Sequence, residues 1–300
     1  MASVFPVAED FASDFASCFR RWGAALVHDP LPIGGIAVAL MLGTGALCGV
    51  PVSTPLLVAA VCGTALVYGA DRVLIAAPED AWNRPGRARW VQAHRRWLHV
   101  EMAGLLIVGL WALAGLRGRT IAWGIGLAGL GGIHLVSGGT GRPITTLGIG
   151  KPILVAVAWA LGGTILPVVE AGGVLDATVW GLAGYRVLFI LPNVLLSDWG
   201  DRTGDRAAGL ASWTTWGTGR GLRWASTVML VGAMAGAGGV SWWGAQPLLW
   251  GVDAVGPLLM LGAVWMVDPQ RTAHRFLLDA IVAWPAVTAL VAWGANAFAS

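Results

Sequence analysis

Charged residues are scarce in this chain of 300 residues: only 12% are Asp, Glu, Lys or Arg, whereas 56% are hydrophobic and the mean hydropathy is +0.70. Soluble globular proteins contain about 25% charged residues. This shortage of charge excludes an ordinary soluble domain and predicts an integral membrane protein that lies in a lipid bilayer.

Cysteine is also scarce, and Cys18, Cys48 and Cys62 lie in or beside apolar stretches without paired spacing. This pattern indicates neither a disulfide framework nor a zinc site. No basic patch with exposed aromatic residues stands apart from the apolar stretches, which argues against nucleic acid binding. Gly124, Gly126 and Gly129 have the spacing of a dinucleotide-binding loop, but they lie inside an apolar stretch with no strand before it.

Long apolar stretches dominate the sequence, and a helix that crosses a bilayer needs roughly 20 mostly apolar residues. Nine stretches meet this condition, and they predict an all-α membrane protein with nine transmembrane helices. They cover residues 32–50, 54–77, 97–116, 119–137, 151–170, 176–197, 223–244, 246–267 and 275–298.

The segment 1–30 precedes these stretches and has Phe11, Phe15, Phe19 and Trp22 at helical spacing among charged residues. This pattern predicts an amphipathic helix that lies along the membrane interface. Its charges do not have the order of a secretory signal peptide, so we expect the segment to be retained. Residues 31–300 then form the transmembrane domain.

The positions of Lys and Arg predict the orientation of the spans. With the N-terminus inside, only Arg117 and Arg119 of the 19 basic residues fall outside, and Arg186 falls within a span. We therefore expect an N-in, C-out protein whose loops 78–96 and 198–222 face the cytoplasm. A bacterial inner or intracytoplasmic membrane is the expected location.

An acidic cluster follows the sixth stretch, where Asp198, Asp201 and Asp205 have the spacing of one helical face if that helix continues. Three converging carboxylates repel one another unless a cation joins them, and Mg²⁺ prefers oxygen ligands completed by substrate phosphates. Arg202 and Arg206 would then face the same phosphate. The alternative is a set of helix-end charges in contact with water.

A second acidic cluster follows the second stretch. Asp71 and Glu79 are eight residues apart, two turns along one helical face, but the position between them is Ile75. Pro78 is expected to redirect the helix before Glu79. A metal site at this cluster would be incomplete.

Together these features resemble the UbiA-type intramembrane prenyltransferases, which have nine transmembrane helices and aspartate-rich cytoplasmic loops after helices two and six. The run Gly204-Asp205-Arg206-Ala207-x-Gly209-Leu210-x-Ser212 is similar to that of the chlorophyll and bacteriochlorophyll synthase branch. The resemblance implies a UbiA-like bundle of four plus four plus one helices. It also implies that Asp198 and Asp205, with Asp201 as a third member, bind the Mg²⁺ that holds an isoprenoid diphosphate.

The first loop departs from the family pattern. The usual N-D-x-x-D-x-x-x-D falls on Val67, Tyr68, Asp71 and Ile75, so only Asp71 keeps its aspartate, although Asn83-x-Pro85-x-Arg87 resembles the N-x-P-x-R that follows in the family. The sequence thus gives two sets of candidate site residues, most of them from the two motifs, and Glu79, Lys151 and Arg186 from their positions beside or within a span. The catalytic set is Asp71, Glu79, Asp198, Asp201 and Asp205, and the substrate-binding set is Arg72, Asn83, Arg87, Lys151, Arg186, Arg202 and Arg206.

The implied activity is transfer of an isoprenoid from a prenyl diphosphate to a lipophilic acceptor, such as an aromatic compound, a quinone precursor or a tetrapyrrole. The eroded first loop favours an alternative. This is a non-catalytic UbiA-like subunit or assembly factor that binds a lipid, quinone or pigment in a larger, for example photosynthetic, membrane complex. A transporter is disfavoured because the paired broken helices of many transporters are missing.

Overall fold

The computed structural model describes residues 23, 25–75, 80–139, 150–207, 214, 217–243 and 246–299. These residues form helices joined by short turns, and no strand occurs among them. The amphipathic segment predicted for residues 1–30 lies outside the described residues, except for Gly23 and residues 25–30. Glu79 and Pro78 also lie outside them.

The helices follow one another along the chain. In order, they are α1 (Leu31–Cys48), α2 (Thr54–Ala70, continued by Asp71–Ile75), α3 (Asp80–Asn83), α4 (Pro85–Leu113), α5 (Gly118–Gly139), α6 (Gly150–Glu170), α7 (Ala177–Ala207), α8 (Gly219–Trp243), α9 (Pro247–Met266), α10 (Thr272–Val282) and α11 (Pro285–Ala299).

The fold class expected from the sequence, an all-α membrane protein, is confirmed. Within the described part of the chain, eight helical segments are long and apolar enough to cross a bilayer. Eight of the nine predicted stretches coincide with these segments. The ninth, 119–137, is helical in α5 but is not among the eight, and the side chains of its second part lie outside the described residues.

The last span is broken rather than continuous. Helix α10 ends at Val282, and α11 begins at Pro285 after a turn at Ala283 and Trp284. Proline has no backbone N–H and fits the first turn of a helix, where that donor would have no partner. The break lets α10 face the end of the bundle that carries the acidic residues, while α11 packs on α1.

The central core lies where α1, α6, α7, α9 and α10 meet, around Leu40, Phe189 and Met260. Glycine allows the close approach of α1 and α6, because a β-carbon at Gly163 would lie 2.7 Å from Cβ of Leu40. Small residues at such crossings are the usual means by which membrane helices increase their van der Waals contact.

Helix α2 widens into a π-helical turn at Asp71–Ile75. In a π turn the backbone hydrogen bond joins residues five positions apart, rather than the four of an α-helix, and such turns often occur at functional sites. The regular α-helical register that the sequence pattern predicts from Asp71 through Ile75 therefore does not hold. Glu79 lies outside the described residues, so its predicted position on the same face as Asp71 stays a prediction.

Helix α7 has 31 residues and continues through the second acidic cluster to Ala207. The predicted cytoplasmic loop 198–222 therefore begins as helix, and the predicted loop 78–96 is occupied by α3 and the first turns of α4. Asp198, Asp201 and Asp205 all lie on α7.

The orientation in the membrane can be tested by cysteine labelling. In a background without Cys18, Cys48 and Cys62, we expect Arg119→Cys to react with an impermeant maleimide at the outer face. Arg95→Cys should react only in inverted vesicles, because its loop, 78–96, carries five of the 19 basic residues and is expected to face the cytoplasm. Both side chains are exposed, so access alone does not limit labelling. Equal labelling of both positions in sealed vesicles would contradict the N-in orientation.

Candidate functional site

A polar cavity of about 750 Å³ lies at the end of the bundle where α2, α3, α7 and α10 meet. Its walls are rich in charge of both signs. The charged residues that line it are Asp29, Asp71, Arg72, Asp80, Arg84, Arg87, Lys151, Asp198, Asp201, Asp205, Arg275 and Asp279.

Asp201 stands between two arginines from distant parts of the chain. Arg84 Nη2 donates to Oδ2 at 2.8 Å, and Arg275 Nη1 donates to Oδ1 at 2.6 Å. Arg84 precedes α4 and Arg275 lies on α10, so this carboxylate holds both elements on α7. Both of its oxygens have a guanidinium partner, which leaves Asp201 poorly placed to bind a metal ion.

Asn83 connects the first loop to the end of α7. Its Oδ1 accepts a hydrogen bond from the backbone N–H of Gly204 at 2.7 Å, and its Nδ2 donates to Oδ1 of Asp205 at 3.2 Å. The two bonds use both ends of one amide, so Asn83 fixes the position of the Asp205 side chain. This is the asparagine of the N-x-P-x-R run.

Two glycines one turn apart on α7 make these contacts possible. A β-carbon at Gly204 would overlap the amide group of Asn83, and a β-carbon at Gly200 would overlap the carbonyl of Pro269 and the guanidinium of Arg275. The first loop and the connection before α10 therefore approach α7 at distances that only glycine permits.

We predict that Gly204→Ala lowers the rate of any reaction catalysed in this cavity, because the added β-carbon displaces Asn83 and, with it, Asp205. Backbone shifts of this kind cost about 1–3 kcal/mol, so the rate should fall by about tenfold or more. Gly184→Ala, on the same helix but with open space around the added carbon, is the matched control and should leave the rate unchanged. Equal effects of the two substitutions would show that the contact with Asn83 is unimportant.

The cavity also contains basic residues from α2 and α4. Arg72 is buried, and its Nη1 donates to the carbonyl of His28, while Arg87 pairs with Asp80 at 2.5 Å. Burial lowers the pKa of His28, and the nearby guanidinium groups of Arg72 and Arg87 lower it further. The effect of Arg72 and Arg87 on His28 indicates a positive potential in this part of the cavity, which suits an anion.

An apolar cavity of about 460 Å³ adjoins the polar one and is lined by α1, α2, α4, α5 and α6. The two cavities share Tyr68, Asp71, Val155 and Trp159 in their walls. Trp159 Nε1 donates to the Tyr68 hydroxyl at 3.3 Å, so this pair marks the boundary. A ligand with a charged head and an apolar tail could occupy both cavities at once.

The structure brings most of the predicted site residues into one place. Those that line the polar cavity are Asp71, Arg72, Asn83, Arg87, Lys151, Asp198, Asp201 and Asp205. Glu79 lies outside the described residues, so its predicted role stays a prediction. Tyr68 and Asp71, two positions of the eroded first motif, face the cavities although only one of them is acidic.

Three predicted substrate-binding arginines do not line either cavity. Arg186 is 1% exposed and pairs with the buried Asp253 in the core, at 2.8 Å and 3.0 Å. The Arg202 guanidinium lies 4.6 Å from the ring centre of Trp199, and Arg206 is exposed near the end of α7. Arg202 follows Asp198 by one helical turn, so spacing alone would put it beside the acids, yet neither Arg202 nor Arg206 lines the cavity.

The predicted magnesium site also differs from the arrangement observed. Within the described part of the chain, no group of three or more His, Cys, Asp or Glu side chains is placed to hold a metal ion. The reason at this cluster is that Asp201 is directed to Arg84 and Arg275. Asp198 and Asp205 also line the cavity.

Sequence reasoning misses several residues of the cavity. Asp80 precedes Asn83 by three residues, so its nearness to the N-x-P-x-R run is a signal that could have identified it. Arg84 falls in the predicted first loop, but the sequence does not indicate its partner. Asn193, Arg275 and Asp279 carry no local signal, because they reach the cavity only through the packing of α7 and α10.

The similarity of this chain to known proteins lies in its fold. No protein-family model matches the chain, and no curated protein matches it by sequence. Two solved structures are similar in fold. A UbiA homologue from Aeropyrum pernix K1 is 15% identical, with a TM-score of 0.63 over 90% of this chain and 98% of that one.

The second is a structure of digeranylgeranylglyceryl phosphate synthase in membranes, which is 13% identical, with a TM-score of 0.55 over 91% of this chain and 97% of that one. Identities this low establish similarity of fold. The chain therefore has a UbiA-like helical fold over nine-tenths of its length.

Proposed function

We propose that the protein is an intramembrane prenyltransferase that moves an isoprenoid group from a prenyl diphosphate to a lipophilic acceptor. The observation that carries this proposal is the pair of adjoining cavities, one charged and one apolar, that share Tyr68, Asp71, Val155 and Trp159. The UbiA-like fold supports it, as does the isoprenoid group in the name of the similar synthase.

The polarity of each cavity indicates which part of the ligand it binds. The diphosphate group is assigned to the polar cavity, where Arg72, Arg87 and Lys151 can offset its negative charge. The isoprenoid tail is assigned to the apolar cavity, because burying it there removes hydrocarbon from contact with charged groups. The reacting carbon then lies near Tyr68 and Trp159, where the two cavities meet.

Transfer begins when the bond between C1 of the isoprenoid and the diphosphate oxygen breaks, and the electron pair leaves with the diphosphate. The basic residues stabilise this leaving group, whose charge is greatest in the transition state. The acceptor then supplies an electron pair to C1 and loses a proton. The aromatic boundary keeps water away from the carbocation while it exists.

Magnesium is the proposed cofactor. Mg²⁺ is usually bound through one or two carboxylates and completed by substrate phosphates and water, so a preformed cluster of three acids is not required. Asp198 and Asp205, which line the cavity on one face of α7, fit this requirement. When bound, the ion would supply positive charge to the diphosphate.

The acceptor class remains part of the proposal: an aromatic compound, a quinone precursor or a tetrapyrrole, the last because of the chlorophyll synthase-like second motif. The rival proposal is a non-catalytic protein that holds a lipid, quinone or pigment within a larger membrane complex. The observation that favours the rival is the pairing of Asp201 with two arginines, since it removes one carboxylate from metal binding.

The two proposals differ in whether diphosphate is released. Purified protein in nanodiscs would be incubated with labelled geranylgeranyl diphosphate, Mg²⁺ and a naphthohydroquinone. We expect release of diphosphate and transfer of label to the hydroquinone, and both should stop when EDTA removes Mg²⁺. Tight binding of the labelled diphosphate without release over many hours would support the non-catalytic protein instead.

A further inference from the structure

Asn193 and Asp279 form a polar pair in the wall of the polar cavity, apart from both aspartate clusters. Asn193 lies on α7 and Asp279 on α10, and Asn193 Nδ2 donates to Asp279 Oδ1 at 3.0 Å. The Asn193 side chain is 8% exposed, and its Oδ1 is buried without a hydrogen-bond partner among the described residues.

The hydrogen bond determines which way the amide points. A carboxylate accepts hydrogen bonds and cannot donate them, so the NH₂ group of Asn193 must face Asp279 and the amide oxygen must face away from it. The pair therefore presents an amide oxygen and a carboxylate, which are both acceptors. A buried acceptor without a partner is unfavourable, so the site suits a ligand that brings a hydrogen-bond donor.

The pair lies deeper in the bundle than the acid-lined end of the cavity. Asn193 precedes Asp198 by five residues on α7, which places it about 7.5 Å deeper in the bundle. The cavity face of α7 runs from Ile190 and Asn193 to Asp205, so the pair lies on the inner side of the acids. Arg84 and Arg275, two guanidinium groups of that end, are directed to Asp201.

We propose that Asn193 and Asp279 bind a hydroxyl group of the acceptor, and that Asp279 receives its proton. This inference rests on the proposed function and specifies its acceptor. The acceptor forms a bond to C1 of the isoprenoid, the bond from C1 to the diphosphate oxygen breaks, and the hydroxyl proton passes to the Asp279 carboxylate. Charge and atoms balance, because the diphosphate leaves with the electron pair of the broken bond.

This subsite selects an alcohol, phenol or hydroquinone over an acceptor that reacts through a carboxylate. A carboxylate placed against Asp279 would be repelled by it and would offer no donor to the orphan oxygen of Asn193. Among the acceptor classes proposed above, the pair therefore favours hydroxylated aromatic compounds and quinone precursors.

The test compares two probes of opposite character in nanodiscs, 2-methyl-1,4-naphthohydroquinone and 2-naphthoate, and follows binding by tryptophan fluorescence. Asp279→Asn should weaken hydroquinone binding by about tenfold, because a hydrogen bond to a charged group is lost. The same substitution should strengthen 2-naphthoate binding by about threefold or more, because the repulsion is removed. A misfolded variant would lose affinity for both probes. Weaker hydroquinone binding together with stronger 2-naphthoate binding therefore identifies a specific effect on the subsite.

Asn193→Leu and the dimethyl ether of the hydroquinone complete the experiment. The substitution should also weaken hydroquinone binding, and the ether, which has no hydroxyl, should bind all three proteins equally. Binding of labelled geranylgeranyl diphosphate should stay within about twofold of wild type in Asn193→Leu, which changes no charge. In Asp279→Asn it should stay equal or become tighter, because Arg72, Arg84 and Arg275 then lose a nearby negative charge.

The inference is overturned if Asp279→Asn changes both probes in the same direction, or if hydroquinone affinity is unaffected. Failure of the proposed function looks different. In that case the wild-type protein releases no diphosphate, yet hydroquinone binding still depends on Asn193 and Asp279, and the subsite stands without the transfer reaction.

Discussion

Asp253→Ala should destabilise the protein by about 3–5 kcal/mol, because it leaves a buried arginine without its counter-charge. Asp253 is fully buried, and its carboxylate accepts hydrogen bonds from both terminal nitrogens of Arg186, from the hydroxyl of Tyr185 at 2.8 Å and from that of Thr288 at 2.9 Å. The network joins α7, α9 and α11 in the interior.

The measurement is thermal unfolding of the detergent-purified protein, followed by tryptophan fluorescence. We expect a fall in Tm on the order of 10 °C, from about 2–4 °C per kcal/mol for a domain of this size. The control is the double variant Arg186→Met with Asp253→Leu, which removes both charges and fills the space. Replacing a buried pair by apolar residues is often neutral, so this variant should recover most of the Tm.

A double variant as unstable as Asp253→Ala would show that packing, and not the unpaired charge, determines the loss. The network also explains why Arg186 is unavailable to substrate. A charge inside a membrane span is expensive and usually pairs with another charge, and Asp253 is that partner.

Asp205→Asn should lower the rate of prenyl transfer by about 100-fold or more, which is the typical effect of removing one group that stabilises transition-state charge. Asparagine has the same shape as aspartate and can still accept the hydrogen bond from Asn83, so the fold around it should persist. What changes is the negative charge and one oxygen ligand for Mg²⁺.

The diagnostic measurement is the affinity for geranylgeranyl diphosphate with and without Mg²⁺. Asp205→Asn should abolish the gain in affinity that Mg²⁺ gives to the wild-type protein, and it should leave binding in EDTA unchanged or slightly tighter. Asp268→Asn is the matched control, since Asp268 is a half-exposed acid that does not line the cavity. An unaltered rate and unaltered Mg²⁺ dependence in Asp205→Asn would mean that the acids on α7 are only a solvated helix end.

Asp201 shows which features of a site a sequence motif can predict and which it cannot. The spacing of Asp198, Asp201 and Asp205 predicts one helical face, and α7 does continue through all three. Spacing cannot show which cations share that face, and in the folded chain two arginines pair with Asp201. The position of Asp201 followed from the sequence, whereas its partners did not.

The sequence by itself determined the membrane location, the helical class and the extent of eight apolar spans, because each depends on residues close together in the chain. Long apolar runs remain in the bilayer, and helix geometry fixes which neighbours share a face. The sequence also identified Asp198, Asp205 and Asn83 as site residues that the structure brings into one cavity.

Only the tertiary structure decided which of these groups meet. The contacts of the site join residues far apart in the chain: Arg84 with Asp201, 117 positions apart, and Asn193 with Asp279, 86 apart. Such pairs arise from how helices pack, from a π turn in α2 and from glycines that allow close approach. Local patterns do not encode these distances, because a charged side chain pairs with whatever opposite charge the packing brings near it.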